Sequence, residues 1–202
     1  TPHVIGEEFG LAWPDIIERC RQLEQEFHRQ AIKVAVRPGA EVALSMDILS
    51  KLDGPGDYCL NGGKYMLVEL PAREMPSFTD EFFFHLQTKG ICPILAHPER
   101  HPAIANNPDM LLSWLNKGIL LQVNGSSITG LMGERVKRIA DLLLANNLVH
   151  FVGSDAHSIH RRTPDITEAL SRTEQYTDRE QTERLVVDYP QYVMNSEDIE
   201  PI

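Results

Sequence analysis

Cysteine is scarce and scattered. Cys20, Cys59 and Cys92 form no C-x-x-C pair and are odd in number, which argues against a disulfide framework or a cysteine zinc site and fits a reducing compartment. Basic charge is also short. Lys+Arg 19 against Asp+Glu 29 leaves a net charge of -10, which repels phosphate backbones and leaves no basic stripe for nucleic acid. No run approaches the roughly 20 apolar residues of a membrane span, and no charged-then-apolar leader opens the chain. The expected location is the cytoplasm.

What remains is an ordinary globular composition, 42% hydrophobic and 24% charged over 202 residues, and one domain spanning 1–202 is the expectation. After Pro14, suited to a first helical turn, apolar residues recur at Ile16, Cys20, Leu23, Phe27 and Ala31 in helical steps. The run Lys33–Arg37, closed by Pro38-Gly39, reads as a strand followed by Glu41. The same form recurs in Tyr65–Val68 before Glu69, Ile91–Ala96 before His97, Ile119–Val123 before Asn124, and Val149–Gly153 before Asp155 and His157. Helical stretches lie between, over 78–89, 108–117 and 131–147, and again over 164–172 and 178–187 ahead of an acidic tail. Strand alternating with helix predicts a parallel sheet, and strands apolar throughout predict burial on both faces. In an α/β barrel the polar strand ends would share one mouth.

His3, Glu41, Glu69, His97, Asp155 and His157 supply three imidazoles and three carboxylates, a mixed donor set suited to Mn, Fe or Zn rather than an oxygen-only cage. Glu69 closes an apolar run, where an unpaired charge is costly; the plainer alternative is an ion pair with Arg73. In Ala96-His97-Pro98-Glu99-Arg100-His101 a guanidinium follows an imidazole by three residues and offers a planar fork to a phosphate. Gly153-Ser154-Asp155-Ala156-His157 is followed by Arg161 and Arg162, of which spacing favours Arg162. His101 reads as a rim histidine rather than a ligand, and Asn61-Gly62-Gly63 as a hairpin-like turn.

Thr1-Pro2-His3, Ala96–Arg100 and Gly153–His157, with the spacing of Glu41, Glu69 and His97 and the segment Gln122–Gly130, resemble the PHP (polymerase and histidinol phosphatase) superfamily. The resemblance extends to its bacterial protein-tyrosine phosphatases from capsule and exopolysaccharide loci. It implies a distorted barrel with a trinuclear centre, usually manganese-dependent, with iron or zinc as alternatives, that hydrolyses phosphotyrosine on the tail of a tyrosine kinase. By position, His3 and His157 would share one metal, Glu69 and His97 another, Asp155 a third, and Glu41 would bridge. Arg100 and Arg162 would hold the phosphate. Thiol-dependent tyrosine phosphatases carry an Arg six residues after the Cys; here those positions hold Glu26, Tyr65 and Pro98, so no thiol mechanism is available.

Members of the superfamily begin with a strand bearing His-x-His and reach Thr-Pro-His at the end of a second strand. The present sequence starts at Thr-Pro-His, so the resemblance implies that a first strand, a helix and part of a second strand stand outside it, with three further ligands, and that activity depends on them. Two alternatives remain at this stage: a small-molecule phosphatase of the histidinol-phosphate type or a nuclease-like phosphoesterase, and a catalytically impaired binding or regulatory module. Oligomeric state is left open.

Overall fold

Each strand of the sheet lies beside the strand that precedes it in the chain. The computed structural model describes residues 1–4 and 11–200, and in it β1 (His3–Val4), β2 (Glu41–Ala43), β3 (Tyr65–Glu69), β4 (Cys92–Ala96), β5 (Leu120–Asn124) and β6 (Phe151–Gly153) form one sheet in the order β1-β2-β3-β4-β5-β6. All five pairings are parallel. A sheet that steps one way throughout, joined by right-handed crossovers, sends its helices to one face. A doubly wound sheet would reverse direction once.

The buried residues divide accordingly. Met66, Val68, Leu95, Leu121, Val123 and Val152 face a core built with the helices. They meet α3 (Thr79–Thr88), α5 (Met110–Leu115) and α7 (Glu134–Ala145) through side chains such as Phe82, Phe83, Trp114, Leu143 and Leu144. Their strand neighbours Tyr65, Leu67, Ile94, Ala96, Leu120 and Phe151 face the other way, into a second cluster with Val193 and Ile199. Period-two alternation is therefore present, but both of its faces are apolar. Further short helices are α2 (Met46–Leu49), α4 (Pro102–Asn106), α6 (Gly125–Ile128), α8 (Thr167–Thr173) and α9 (Arg179–Glu183). Among the described residues no helix is long and apolar enough to cross a membrane.

Two expectations from the sequence change here. The strand expected over 33–37 does not form: those residues are irregular, Val34 is 56% exposed, and the ladder begins at Glu41, which pairs with His3. Apolar β-branched residues before a Pro-Gly turn make a strand only where a neighbour offers hydrogen bonds, and β1 offers them to Glu41 and Val42 instead. Helix α1 (Trp13–Arg29) forms as read, yet of its apolar positions only Ile16 is buried, while Leu23 is 46% exposed.

The acidic tail is docked. A π-helical stretch, Arg184–Asp188, joins α9 to α10 (Tyr189–Asn195), with Pro190 in the first turn of α10. Pro190 has no N–H to return to the preceding turn, and a widened turn there accommodates the missing bond. Ser196 then takes a left-handed conformation, φ 55, and the segment after it runs along β3. Tyr65 donates its hydroxyl to the carbonyl of Glu197 at 2.6 Å, Lys64 pairs with Asp198, and Asn61 Nδ2 donates to the Met194 carbonyl at 3.0 Å. A cleft of about 300 Å³ remains between the sheet and α10, lined by Leu67, Ile94, Phe151, Val193 and Met194, with Glu41, His97 and Asp155 at its polar end.

Candidate metal centre

Register places the polar residues in two layers. Glu41 is the first residue of β2 and lies level with Leu67, whereas Glu69 closes β3 level with Ala43. Glu41 is therefore inside a strand rather than after one, a layer below Glu69, and its residue is only 4% exposed. His97 follows β4 directly. Strict alternation would turn the residue after Ala96 toward the helices, but His97 has φ 33 and ψ 53, and this left-handed step returns its ring to the inner side. Such a conformation costs a non-glycine residue about 1–3 kcal/mol and persists only where surrounding contacts enforce it. Asp155, at φ 46, is held in the same unusual region.

The side chains converge. His97 Nε2 lies 2.8 Å from Glu41 Oε1 and 3.6 Å from Glu69 Oε1, and His3 Nδ1 lies 3.1 Å from Glu69 Oε2. Donor atoms of His3, Glu41 and Glu69 all fall within 4.8 Å of one another. Ligands held at about 2.0–2.2 Å from one ion are themselves up to about 4.4 Å apart, so small side-chain rotations let this set close on a divalent metal. The His3 and His157 rings are 6.1 Å apart. Glu69 meets the two histidines, and no ion pair joins it to Arg73 among the described residues.

Asp155 is the second focus. Its Oδ2 accepts from Arg100 Nη1 at 3.2 Å, from Asn124 Nδ2 at 2.6 Å, and from Arg162 Nη2. The carbonyl of Arg162 accepts from the backbone N–H of His157 at 2.8 Å and of Ser158 at 3.1 Å, which closes the loop bearing Asp155, His157 and Arg162. His157 Nδ1 stands 2.9 Å from the Asp155 carbonyl, so that nitrogen carries the proton and Nε2 keeps its lone pair for a ligand. Arg161 is exposed and takes no part.

Burial by itself would lower the pKa of His97, but the hydrogen bond and charge of Glu41 outweigh it and the net direction is upward. Burial raises the carboxyl of the fully buried Glu99, partly countered by Ser127 and the Asn124 amide. The pair His97–Glu41 is thus a tight acid–base couple beneath a more open rim, where the side chains of His3 and His157 are 40% and 44% exposed.

All eight residues singled out in the sequence, His3, Glu41, Glu69, His97, Arg100, Asp155, His157 and Arg162, gather at this end of the sheet. His101 stands beside them, lining a small pocket with Glu69, His97 and Arg100, but both its ring nitrogens are engaged: Nε2 donates to the Pro71 carbonyl at 3.0 Å and Nδ1 caps α4. Residues 61–63 form a tight turn with Asn61 at φ 55. Three participants were not singled out, namely Gln122, Asn124 and Glu99. Asn124 carried a signal, since it is the polar terminus of an apolar strand like Glu69; Glu99 carried none, because a glutamate in a turn reads as solvated.

The family described as capsular polysaccharide synthesis, CpsB/CapC, matches residues 1–195. Tyrosine-protein phosphatase YwqE of Bacillus subtilis is 35% identical over 170 residues, 84% of this chain and 67% of that protein. Tyrosine-protein phosphatase CpsB of Streptococcus pneumoniae is 26% identical over 199 residues, 96% of this chain and 82% of that protein. The match to CapC of Staphylococcus aureus, 32% identical, covers 80% of this chain and 64% of that protein. A crystal structure from the study of YwqE and CpsB, there called metal-dependent tyrosine phosphatases, superposes with a TM-score of 0.90 at 30% identity, over 100% of this chain and 81% of the other.

Proposed function

The chain belongs to the CpsB/CapC family of capsular polysaccharide synthesis, and from that membership and the convergence of donors we propose that it is a metal-dependent protein-tyrosine phosphatase. The observation that carries this reading is a cluster of imidazole and carboxylate donors placed beside two guanidinium groups that meet at Asp155. His3, Glu41, Glu69, His97, Asp155 and His157 hold the metals, which supply Lewis acidity and water activated near neutral pH. Manganese is the expected ion from the superfamily resemblance; the mixed nitrogen and carboxylate donors suit iron and zinc as well, and these are the alternatives. Arg100 and Arg162 bind the phosphate oxygens with planar forks and neutralise charge that grows during transfer. Glu41 holds the His97 ring in place from below.

The open rim suits a tyrosine presented on a peptide better than a small metabolite, which favours enclosure. The substrate is a tyrosine-phosphorylated kinase tail that controls capsule or exopolysaccharide synthesis, and the setting is the cytoplasm. The finer architecture is a distorted PHP-type barrel, consistent with the one-way order of the strands, in a single domain over 1–202.

The test uses the whole protein, together with any segment that precedes Thr1, stripped with a chelator and reloaded in turn with Mn, Fe or Zn, against a phosphotyrosine peptide and histidinol phosphate. Metal-restored hydrolysis that favours the peptide is the expected result. Hydrolysis of neither, or a preference for histidinol phosphate, would overturn the reading.

A further inference from the structure

Asn124 is fully buried, and its side-chain amide is engaged at both ends. Nδ2 donates to Asp155 Oδ2 at 2.6 Å, and Oδ1 accepts from Gln122 Nε2 at 2.8 Å. The backbone N–H of Asn124 donates to Glu99 Oε1 at 3.1 Å, which fixes the end of β5 to the turn that carries Arg100. The polarity of this row has only one solution. An ionised carboxylate accepts and cannot donate, so the Asn124 group facing Asp155 is its NH2. Its oxygen then faces Gln122, which must present its own NH2.

Space for the row is kept by Gly153, the register partner of Asn124. A Cβ at position 153 would stand 2.9 Å from Gln122 Nε2, closer than two such atoms approach, so a side chain there would displace Gln122 from Asn124. A glycine at a strand end, a buried amide and a half-buried amide therefore serve one arrangement.

We propose that Gln122 and Asn124 are positioning residues, a directional relay that commits Oδ2 of Asp155 to the guanidinium side and leaves Oδ1, 3.4 Å from His157 Nδ1, for a metal ion. The inference rests on the reading of Asp155 as a metal ligand. It assigns a role to residues outside the proposed ligand set and phosphate-binding arginines. Hydrogen-bond partners that orient a ligand typically account for 10–100-fold in metal affinity.

The test is Mn titration calorimetry on the metal-stripped full chain for Gln122→Glu, Gln122→Met and Asp155→Ala, with thermal unfolding of each metal-stripped variant as a check on folding. Gln122→Glu is isosteric but can only accept. It turns the Asn124 NH2 away from Asp155 and sets Oδ1 against Oδ2, and Mn affinity should fall about 10- to 100-fold. Gln122→Met removes the donor without reversing the row, and affinity should fall by less than about threefold. Equal affinities for the Glu and Met variants, with Asp155→Ala losing metal, would overturn the relay while the ligand reading stands. Undiminished Mn binding by Asp155→Ala would overturn both.

Discussion

His97 Nε2 and Glu41 Oε1 meet at 2.8 Å although 56 residues and an intervening strand separate them. Both side chains are nearly closed to solvent, at 8% and 5% exposure. Each is the chief compensation for burying the other, since an ionisable group in such a place is costly without a partner. Glu41→Gln keeps the shape but removes the charge, so the His97 pKa falls and the ring keeps at most a neutral amide acceptor in place of a carboxylate. Phosphatase activity should drop at least about 100-fold with a parallel loss of bound metal, measured by peptide hydrolysis and elemental analysis of the same sample.

Arg162→Lys and Arg100→Lys keep the charge and lose the planar fork. Each should lower kcat/KM by about 100-fold, roughly 3 kcal/mol of transition-state stabilisation, with a rise in KM. Arg161→Lys, on the exposed neighbour, should leave kcat/KM within about twofold. Steady-state kinetics on a phosphotyrosine peptide decides, and equal effects at 161 and 162 would contradict the placement of Arg162.

Thiol reagents should not inhibit. Cys59 is buried and burial pushes its thiol up to about 11, and no Arg stands six residues after any cysteine. Activity should survive iodoacetamide treatment, with labelling followed by mass spectrometry. Loss of activity in step with modification of any one cysteine would be inconsistent with a metal-dependent mechanism.

His150 introduces acid sensitivity remote from the site. Its Nδ1 accepts from the Leu121 backbone N–H at 3.2 Å, and burial lowers its pKa from 6.5 to about 4. The unfolded chain therefore takes up this proton first as pH falls. The contribution to stability is intact above the unfolded value and declines between 6.5 and about 4, by on the order of 3 kcal/mol when complete. His150→Asn offers an acceptor in a similar place without titrating. Its urea midpoint should change less than that of the parent chain between about pH 7 and about pH 4.5.

Tyr65→Phe tests the docked tail. Removing the hydroxyl that donates to the Glu197 carbonyl should cost about 1 kcal/mol and lower the melting temperature by about 2–4 °C. Lys64→Ala should cost less than about 0.5 kcal/mol, because Asp198 is 95% exposed and the pair is screened. Calorimetric melting curves separate the two.

Much of this was legible in the sequence, for identifiable reasons. Polar residues that close apolar runs mark strand ends, and Glu69, His97, Asn124 and Asp155 all obey that rule. Glu41 does not, because its strand is only three residues long and its partner, β1, lies at the far side of a helix. The false strand at 33–37 has the right residues and no neighbour. α10 and the segment after it were hidden because their contacts with Asn61, Lys64 and Tyr65 span more than 130 positions, beyond the reach of any local pattern. The roles of Gln122 and Glu99 depend on which atoms face them, and no spacing encodes that.

The one-way order of the strands bears on how the protein is made. As the chain leaves the ribosome, each strand emerges next to the one already present, so the sheet can be laid down stepwise from β1 to β6. Its inner surface cannot be finished in the same way. Tyr65, Leu67 and Ile94 are covered by Val193 and Ile199, so this apolar surface stays open until translation has passed residue 199. A pause late in synthesis would leave the nascent chain with its helices seated and the opposite side of its sheet available to chaperones.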